Sequence, residues 1–244
     1  MVNEIMAQQL RAFGLRYNDT VLMHSSLSSL GYVEGGADTV IDTLLYVLHG
    51  GTLLIPTLSY RYCRPETPNF NVRETPSCVG LISETFRKRA GTLRSIHPSH
   101  SVAGVGKYAK EILSQHINDT TPVGPNSPFA LLPKYGGKVL MLGCGLAPNT
   151  SMHGIEELVE PDYLYRAGDF PFTLIDESGN KTEKRYKFHN FQNTAQRYAR
   201  LAGLMDIHTG MVLQAQCHLI DAPTMWRGGL EKMRANPLYF VDKV

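Results

Sequence analysis

Four short segments of the 244-residue chain carry residue types that could do chemistry. In Asn149-Thr-Ser-Met-His-Gly-Ile-Glu-Glu157, His153 precedes Glu156 by three positions and Glu157 by four. On a helix either spacing puts the imidazole and a carboxylate on one face. A carboxylate holding one ring nitrogen fixes the tautomer and raises the basicity of the other, which suits removal of a proton from an amine. Spacing alone is equally compatible with an exposed histidine beside solvated acids.

The second segment, His24-Ser25-Ser26-Leu27, ends a strand-like run and leads through Gly35–Gly36 towards a helix. Hydroxyls, glycines and a helix start supply donors for an anionic group such as a phosphate, although no GxGxxG or Walker spacing is present. The third, His97-Pro98-Ser99-His100-Ser101, has two histidines three apart with a proline between them. Without an HExxH or HxH companion this pattern predicts no metal site, since metal binding needs three or four ligands of compatible geometry. Its small neighbours Ala103, Gly104 and Gly106 instead permit close approach of a ligand or strand. The fourth, Gly124-Pro-Asn-Ser127-Pro128-Phe129, joins a turn to a helix start. No GxSxG elbow exists and no cysteine lies in a nucleophile signature, so nucleophilic hydrolase chemistry fits poorly.

Composition narrows the classes further. With 43% hydrophobic and 19% charged residues the chain is globular rather than disordered. A formal charge of +2 gives no basic stripe, so a nucleic-acid partner is not expected. Cys63, Cys78, Cys144 and Cys217 form no CxxC pair and read as reduced thiols. No apolar leader and no uncharged apolar run of about 18 residues is visible, so the expected location is cytoplasmic, without a membrane partner.

Positioning these segments requires strands and helices in alternation. Val21–Leu27, Thr52–Leu58, Ser101–Val105, Lys138–Gly145, Phe172–Asp176 and Met211–Ile220 read as strands. The continuous apolar runs among them suit strands covered on both faces. Asp38 to Leu48 places Val40, Ile41, Leu44, Leu45 and Leu48 on one stripe, with Asp38 as cap and Gly50–Gly51 as stop. Helices are also expected over Val79–Arg89, Lys107–Ser114 and Asn190–Leu204. Asp176 to Asn180 reads as a hairpin turn between Phe172–Asp176 and Thr182–Phe188, which makes the sheet mixed. Tyr60 to Ser77, rich in proline, reads as a long functional loop or lid. The expected architecture is one α/β domain over residues 1–244, a mixed sheet between helical layers.

Together the segments resemble the aminoglycoside 3-N-acetyltransferase family. The resemblance rests on six blocks in order: His24-Ser-Ser-Leu27, Gly50-Gly-Thr-Leu-Leu-Ile-Pro56, Arg94-Ser-Ile-His-Pro-Ser-His-Ser-Val-Ala-Gly-Val-Gly106, Gly124-Pro-Asn-Ser-Pro-Phe129, Gly137-Lys-Val-Leu-Met-Leu-Gly143 and Asn149-Thr-Ser-Met-His153. It covers residues 20–160 strongly and the rest loosely.

The resemblance implies a three-layer α/β/α fold unlike the common GNAT type. It also implies acetyl-coenzyme A as co-substrate and direct transfer to a primary amine, without a metal. The coenzyme would contact His24, Ser25, Ser26 and Leu27, then His97, Pro98, Ser99, His100 and Ser101, and finally Gly124, Ser127, Pro128 and Phe129. His153 would be the general base, oriented by Glu156 or Glu157, with the Thr150 hydroxyl near the thioester oxygen. Arg61, Arg64 and Arg73 outnumber Glu66 and Glu74 between Tyr60 and Gly80, which favours a neutral or anionic acceptor such as an amino sugar on a nucleotide. An aminoglycoside acceptor is the alternative. A coenzyme-A-binding protein without transfer activity, or a thioesterase using His153 on water, are the readings outside this class.

Overall fold

The computed structural model describes residues 1–191 and 193–244. Along the chain, α1 (Glu4–Ala12) leads into β1 (Thr20–Ser25), α2 (Gly36–Val47) and β2 (Thr52–Pro56). Next come β3 (Asn69–Asn71), α3 (Leu81–Lys88), β4 (Leu93–Arg94), β5 (Val102–Gly106), α4 (Ala109–Ser114) and α5 (Pro128–Leu131). They are followed by β6 (Lys138–Leu142), α6 (Ser151–Glu157), β7 (Phe170–Ile175), β8 (Lys181–Tyr186) and β9 (Thr194–Gln196). The last elements are β10 (His208–Val212), β11 (Ala215–Asp221), α7 (Ala222–Ala235) and β12 (Val241–Lys243).

Alternation along the strands builds the layers, because successive side chains point to opposite faces. Val21 and Met23 of β1, Leu53 and Ile55 of β2, and Leu140 and Leu142 of β6 pack with Met6, Leu10, Val40, Ile41, Leu44 and Phe86 from α1, α2 and α3. Leu22, Leu54, Val139 and Met141 point the other way, onto Ile112, Leu113, Phe129, Ile155 and Met225 of α4 to α7. The result is the expected three-layer α/β/α arrangement. Strands covered on both faces explain why these segments read as continuous apolar runs.

The main sheet has the order β10-β11-β6-β1-β2-β5-β4. Only β6-β1 and β1-β2 are parallel, and all outer pairs are antiparallel. The sheet is mixed, as expected, but not for the expected reason. The hairpin β7-β8 forms as read, yet it joins β3 in a separate three-stranded sheet with its own core of Cys63, Phe70, Val72, Phe172, Leu174 and Tyr186.

That second sheet also corrects the reading of Tyr60 to Ser77 as a structureless lid. β3 pairs in parallel with β7, and Phe70 is fully buried, so burial of its aromatic ring holds the segment in place. Met211–Ile220 is two strands, β10 and β11, turned at Leu213 with φ 52°. An apolar residue in that conformation gives no turn signal in sequence. The helix expected over Asn190–Leu204 is absent among the described residues, and Gln192 lies outside them. Thr194–Gln196 instead pairs with β12, and Tyr198–Gly203 is a 3₁₀ turn. Asp38 is not the cap of α2. Gly35, left-handed at φ 75°, begins the helix earlier and leaves Asp38 in its first turn, where a carboxylate suits the helix dipole.

Candidate active site

The three parallel strands end at a cavity of about 380 Å³. Met23, His24 and Ser25 reach it from β1, Pro56 and Leu58 from β2 and beyond, and Cys144, Ala147, Pro148, Asn149 and Thr150 from the loop after β6. Ligands gather at the carboxyl ends of such strands because the loops diverge there. Gly143, at φ 75°, lets the chain leave β6 in a direction that other residues rarely adopt. Asn149 then fixes the start of α6. Its Oδ1 accepts from the Ser151 N–H at 3.2 Å and its Nδ2 donates to Met225 Sδ of α7 at 3.2 Å.

In the first turn of α6, His153 projects into the cavity with its Nδ1 2.8 Å from Glu156 Oε2. Glu156 is fully buried, so its charge needs several donors. Tyr163 Oη donates to Oε1 at 2.9 Å and Tyr198 Oη to Oε2 at 2.8 Å. The Tyr198 oxygen also lies 2.9 Å from His153 Nδ1. Burial and the Glu156 carboxylate push both phenols above their usual range, so they remain donors. Held through Nδ1, the His153 ring has its other nitrogen, Nε2, free of that anchor.

Glu157 does not bond His153, although a spacing of four allowed it. Its Oε1 accepts from the Val123 N–H at 2.8 Å and lies 2.9 Å from His189 Nε2. Burial raises the Glu157 carboxyl to about 7. The His189 ring centroid is 4.8 Å from that of His153 and 5.3 Å from that of His100. Burial holds His100 and His189 well below the usual histidine range, and brings His24 to about 3. Cys144 also faces the cavity, but burial lifts its thiol to about 12, far from a reactive thiolate.

The candidate coenzyme residues divide into two groups. His24, Ser25, His100 and Thr150 line the cavity, with Ser26 and Leu27 half-buried just beyond Ser25. His97, Pro98, Ser99 and Ser101 are buried and build the support beneath His100. His97 Nδ1 accepts from the N–H groups of Ser99 and His100, Pro98 O accepts from Ser59 Oγ, and Ser99 Oγ pairs with His100 Nδ1 at 2.8 Å. Ser101 Oγ bonds the buried Arg94 guanidinium. Ser127 caps α5, Pro128 and Phe129 are buried, and Gly124 packs against Asp119, so this turn also lies behind the cavity wall.

The arginines expected to shape an acceptor loop do not reach the site. Arg61, Arg64 and Arg73 are exposed, and only Tyr60 and Val79 of that segment line the cavity. No Asp, Glu, Lys or Arg lines it among the described residues. Tyr163, His189 and Tyr198 were not anticipated. The Tyr198 contacts join residues 42 to 45 apart, for which helical spacing carries no signal. His189, between Phe188 and Asn190-Phe191, could have been noticed as a polar residue in an aromatic stretch.

Among the described residues no helix is long and apolar enough to cross a membrane. A family model described as aminoglycoside 3-N-acetyltransferase matches residues 22–234. Aminoglycoside N(3)-acetyltransferase VII of Streptomyces paromomycinus is 35% identical over 173 residues, 64% of this chain and 60% of that one. Aminoglycoside N(3)-acetyltransferase VIII of Streptomyces fradiae is 29% identical over 260 residues, covering 93% of this chain and 89% of its own. A solved structure of AAC-IIIb binary with CoASH matches with a TM-score of 0.81 and 25% identity, covering 96% of this chain and 97% of the other. The chain belongs to the aminoglycoside 3-N-acetyltransferase family and is an N-acetyltransferase.

Proposed function

We propose that the chain transfers an acetyl group from acetyl-coenzyme A to a primary amine of an aminoglycoside-type amino sugar, with His153 as general base. The observation that carries this reading is the His153 imidazole, bonded to buried Glu156 on one nitrogen and facing the cavity with the rest of its ring. The acceptor follows from the relatives, whose names support an aminoglycoside more directly than a sugar nucleotide.

In the reaction, His153 Nε2 takes the proton from the attacking nitrogen as the C–N bond forms at the thioester carbon. The C–S bond then breaks and the proton passes to the departing thiolate. Glu156 stabilises the charge that develops on the ring, and Thr150 at the start of α6 stabilises the thioester oxygen. Donors in such a position commonly contribute about 10²–10³ in rate.

A second acceptor reading is favoured by the cavity itself. A polycation calls for carboxylates, and none lines the wall among the described residues. An amine carrying few positive charges, such as an amino sugar on a nucleotide, fits that lining better. Coenzyme thiol release, measured with a panel of aminoglycosides and amino-sugar nucleotides, tests both readings. Turnover of the aminoglycosides supports the first, turnover of only the nucleotides supports the second, and acceptor-independent release contradicts the transferase assignment.

A further inference from the structure

We propose that His100, His153 and His189 form a three-histidine site for a zinc-class divalent ion, whose binding withdraws His153 from proton transfer. The three rings come from distant parts of the chain: the loop before β5, the first turn of α6 and the segment after β8. One nitrogen from each lies within 4.8 Å of the other two. A tetrahedral zinc ion with bonds of about 2.0–2.1 Å needs ligand nitrogens roughly 3.4 Å apart, so the rings close by about 1 Å or a little more on binding.

What separates this cluster from chance packing is that one nitrogen of each ring is already engaged by the protein. His153 Nδ1 is bonded to Glu156, His189 Nε2 to Glu157 and His100 Nδ1 to Ser99 Oγ. Metal-binding histidines characteristically have a carboxylate or similar acceptor on the far nitrogen, which fixes the ring and leaves the near nitrogen to the metal. Here two of three rings have a carboxylate and the third a hydroxyl. The nitrogen left over on His189, Nδ1, is buried and has no hydrogen-bond partner, on a side chain only 6% exposed. A lone pair left unmatched in that position is costly unless something binds it.

All three histidines line the cavity, so the fourth position of a bound ion opens onto it. Three imidazoles and an open position suit zinc and cobalt(II) better than magnesium or calcium, which prefer oxygen ligands. Sequence spacing hid the cluster, because its three rings lie far apart in the chain. The one close histidine pair among the candidate segments, His97 with His100, gave no metal expectation, and His97 is turned into the support, with Nε2 3.1 Å from Thr121 O.

The inhibitory half of the proposal rests on His153 as base; the site itself does not. A nitrogen bound to metal cannot also accept a proton, so occupancy and acetyl transfer exclude each other.

The test is titration of chelator-treated enzyme with cobalt(II) and with zinc, followed by calorimetry and visible absorption. The expected result is one ion per chain, four-coordinate ligand-field bands with cobalt, and loss of initial-rate turnover in step with zinc occupancy, reversed by a chelator. His189→Ala and His100→Ala should each weaken zinc binding at least about tenfold, and Glu157→Gln, which keeps all three ligands, by about 10–100-fold. Melting of the metal-free variants confirms that they are folded. Absence of stoichiometric binding, or equal affinity in all three variants, overturns the site and leaves the base assignment standing. Retained turnover in metal-free His153→Ala overturns the base assignment and leaves the cobalt spectrum to judge the site.

Discussion

His153 and Glu156 sit one turn apart on α6, joined at 2.8 Å, with the imidazole on the cavity and the carboxylate fully buried. A carboxylate removed from water in this way depends on its donors, and Tyr163, Tyr198 and His153 provide them. The proposed base and its anchor therefore form one hydrogen-bonded unit, and damage to any member should appear first in the chemical step.

Glu156→Gln should lower kcat by about 10²-fold or more, because the amide no longer balances a developing imidazolium. Tyr198→Phe removes one donor to a charged acceptor, worth about 1.5–3 kcal/mol, and should cost roughly 10–100-fold. In both variants the KM for acetyl-coenzyme A should change little. A shift confined to that KM would instead mark these residues as binding groups.

Stability should fall on the acid side of neutrality. Burial brings His24 and His116 to about 3 from 6.5, and lowers His97, His100 and His189 well below it. The unfolded chain protonates these rings near 6.5 while the folded one does not. Their contribution is therefore complete above about pH 6.5 and is lost as pH falls towards 3, at up to about 1.4 kcal/mol per histidine per pH unit. Glu157, raised to about 7, acts in the opposite sense, with a contribution present below about 4.5 and lost as pH rises through 7. Five groups outweigh one. Tm should drop between pH 7 and pH 4.5, and a flat or rising profile would contradict the buried neutral state of the histidines.

Gly154→Ala tests the packing that aims His153. A Cβ there would lie 2.4 Å from a ring carbon of Trp226 and 2.9 Å from Val123 Cγ1. Alanine favours helix, yet the clash between α6 and α7 should dominate and cost about 1–3 kcal/mol. Chemical denaturation measures the loss, and kcat should fall with it as α6 is displaced.

Arg94 is buried and makes five hydrogen bonds, to Thr57 Oγ1, Ser101 Oγ and the carbonyls of Thr57, Val72 and Thr75. It fastens the second sheet to the main one through the segment carrying Val72 and Thr75. Arg94→Met leaves several buried acceptors unmatched, at about 1–3 kcal/mol each, so thermal unfolding should show a loss of at least about 3 kcal/mol. Arg94→Lys should not restore it, since an ammonium cannot reproduce the planar fork.

Much of the scaffold was legible because its causes are local. The stripe Val40, Ile41, Leu44 and the runs at Thr52 and Lys138 follow directly from helical period and two-sided burial. The pairing of His153 with Glu156 was likewise within reach of helical spacing, but spacing alone could not choose between Glu156 and Glu157. That choice depends on Tyr163 and Tyr198 converging on one carboxylate while Val123 and His189 take the other. The turn at Leu213 and the burial of Phe70 were hidden for the same reason: both are set by tertiary packing.

The most direct test of the central claim is amine-dependent coenzyme thiol release by metal-free His153→Ala beside the unaltered enzyme, with acetyl-coenzyme A binding followed by thermal shift. The account predicts a fall in kcat of about 10²–10⁴-fold with binding retained. Turnover within a few-fold of the unaltered enzyme would contradict it.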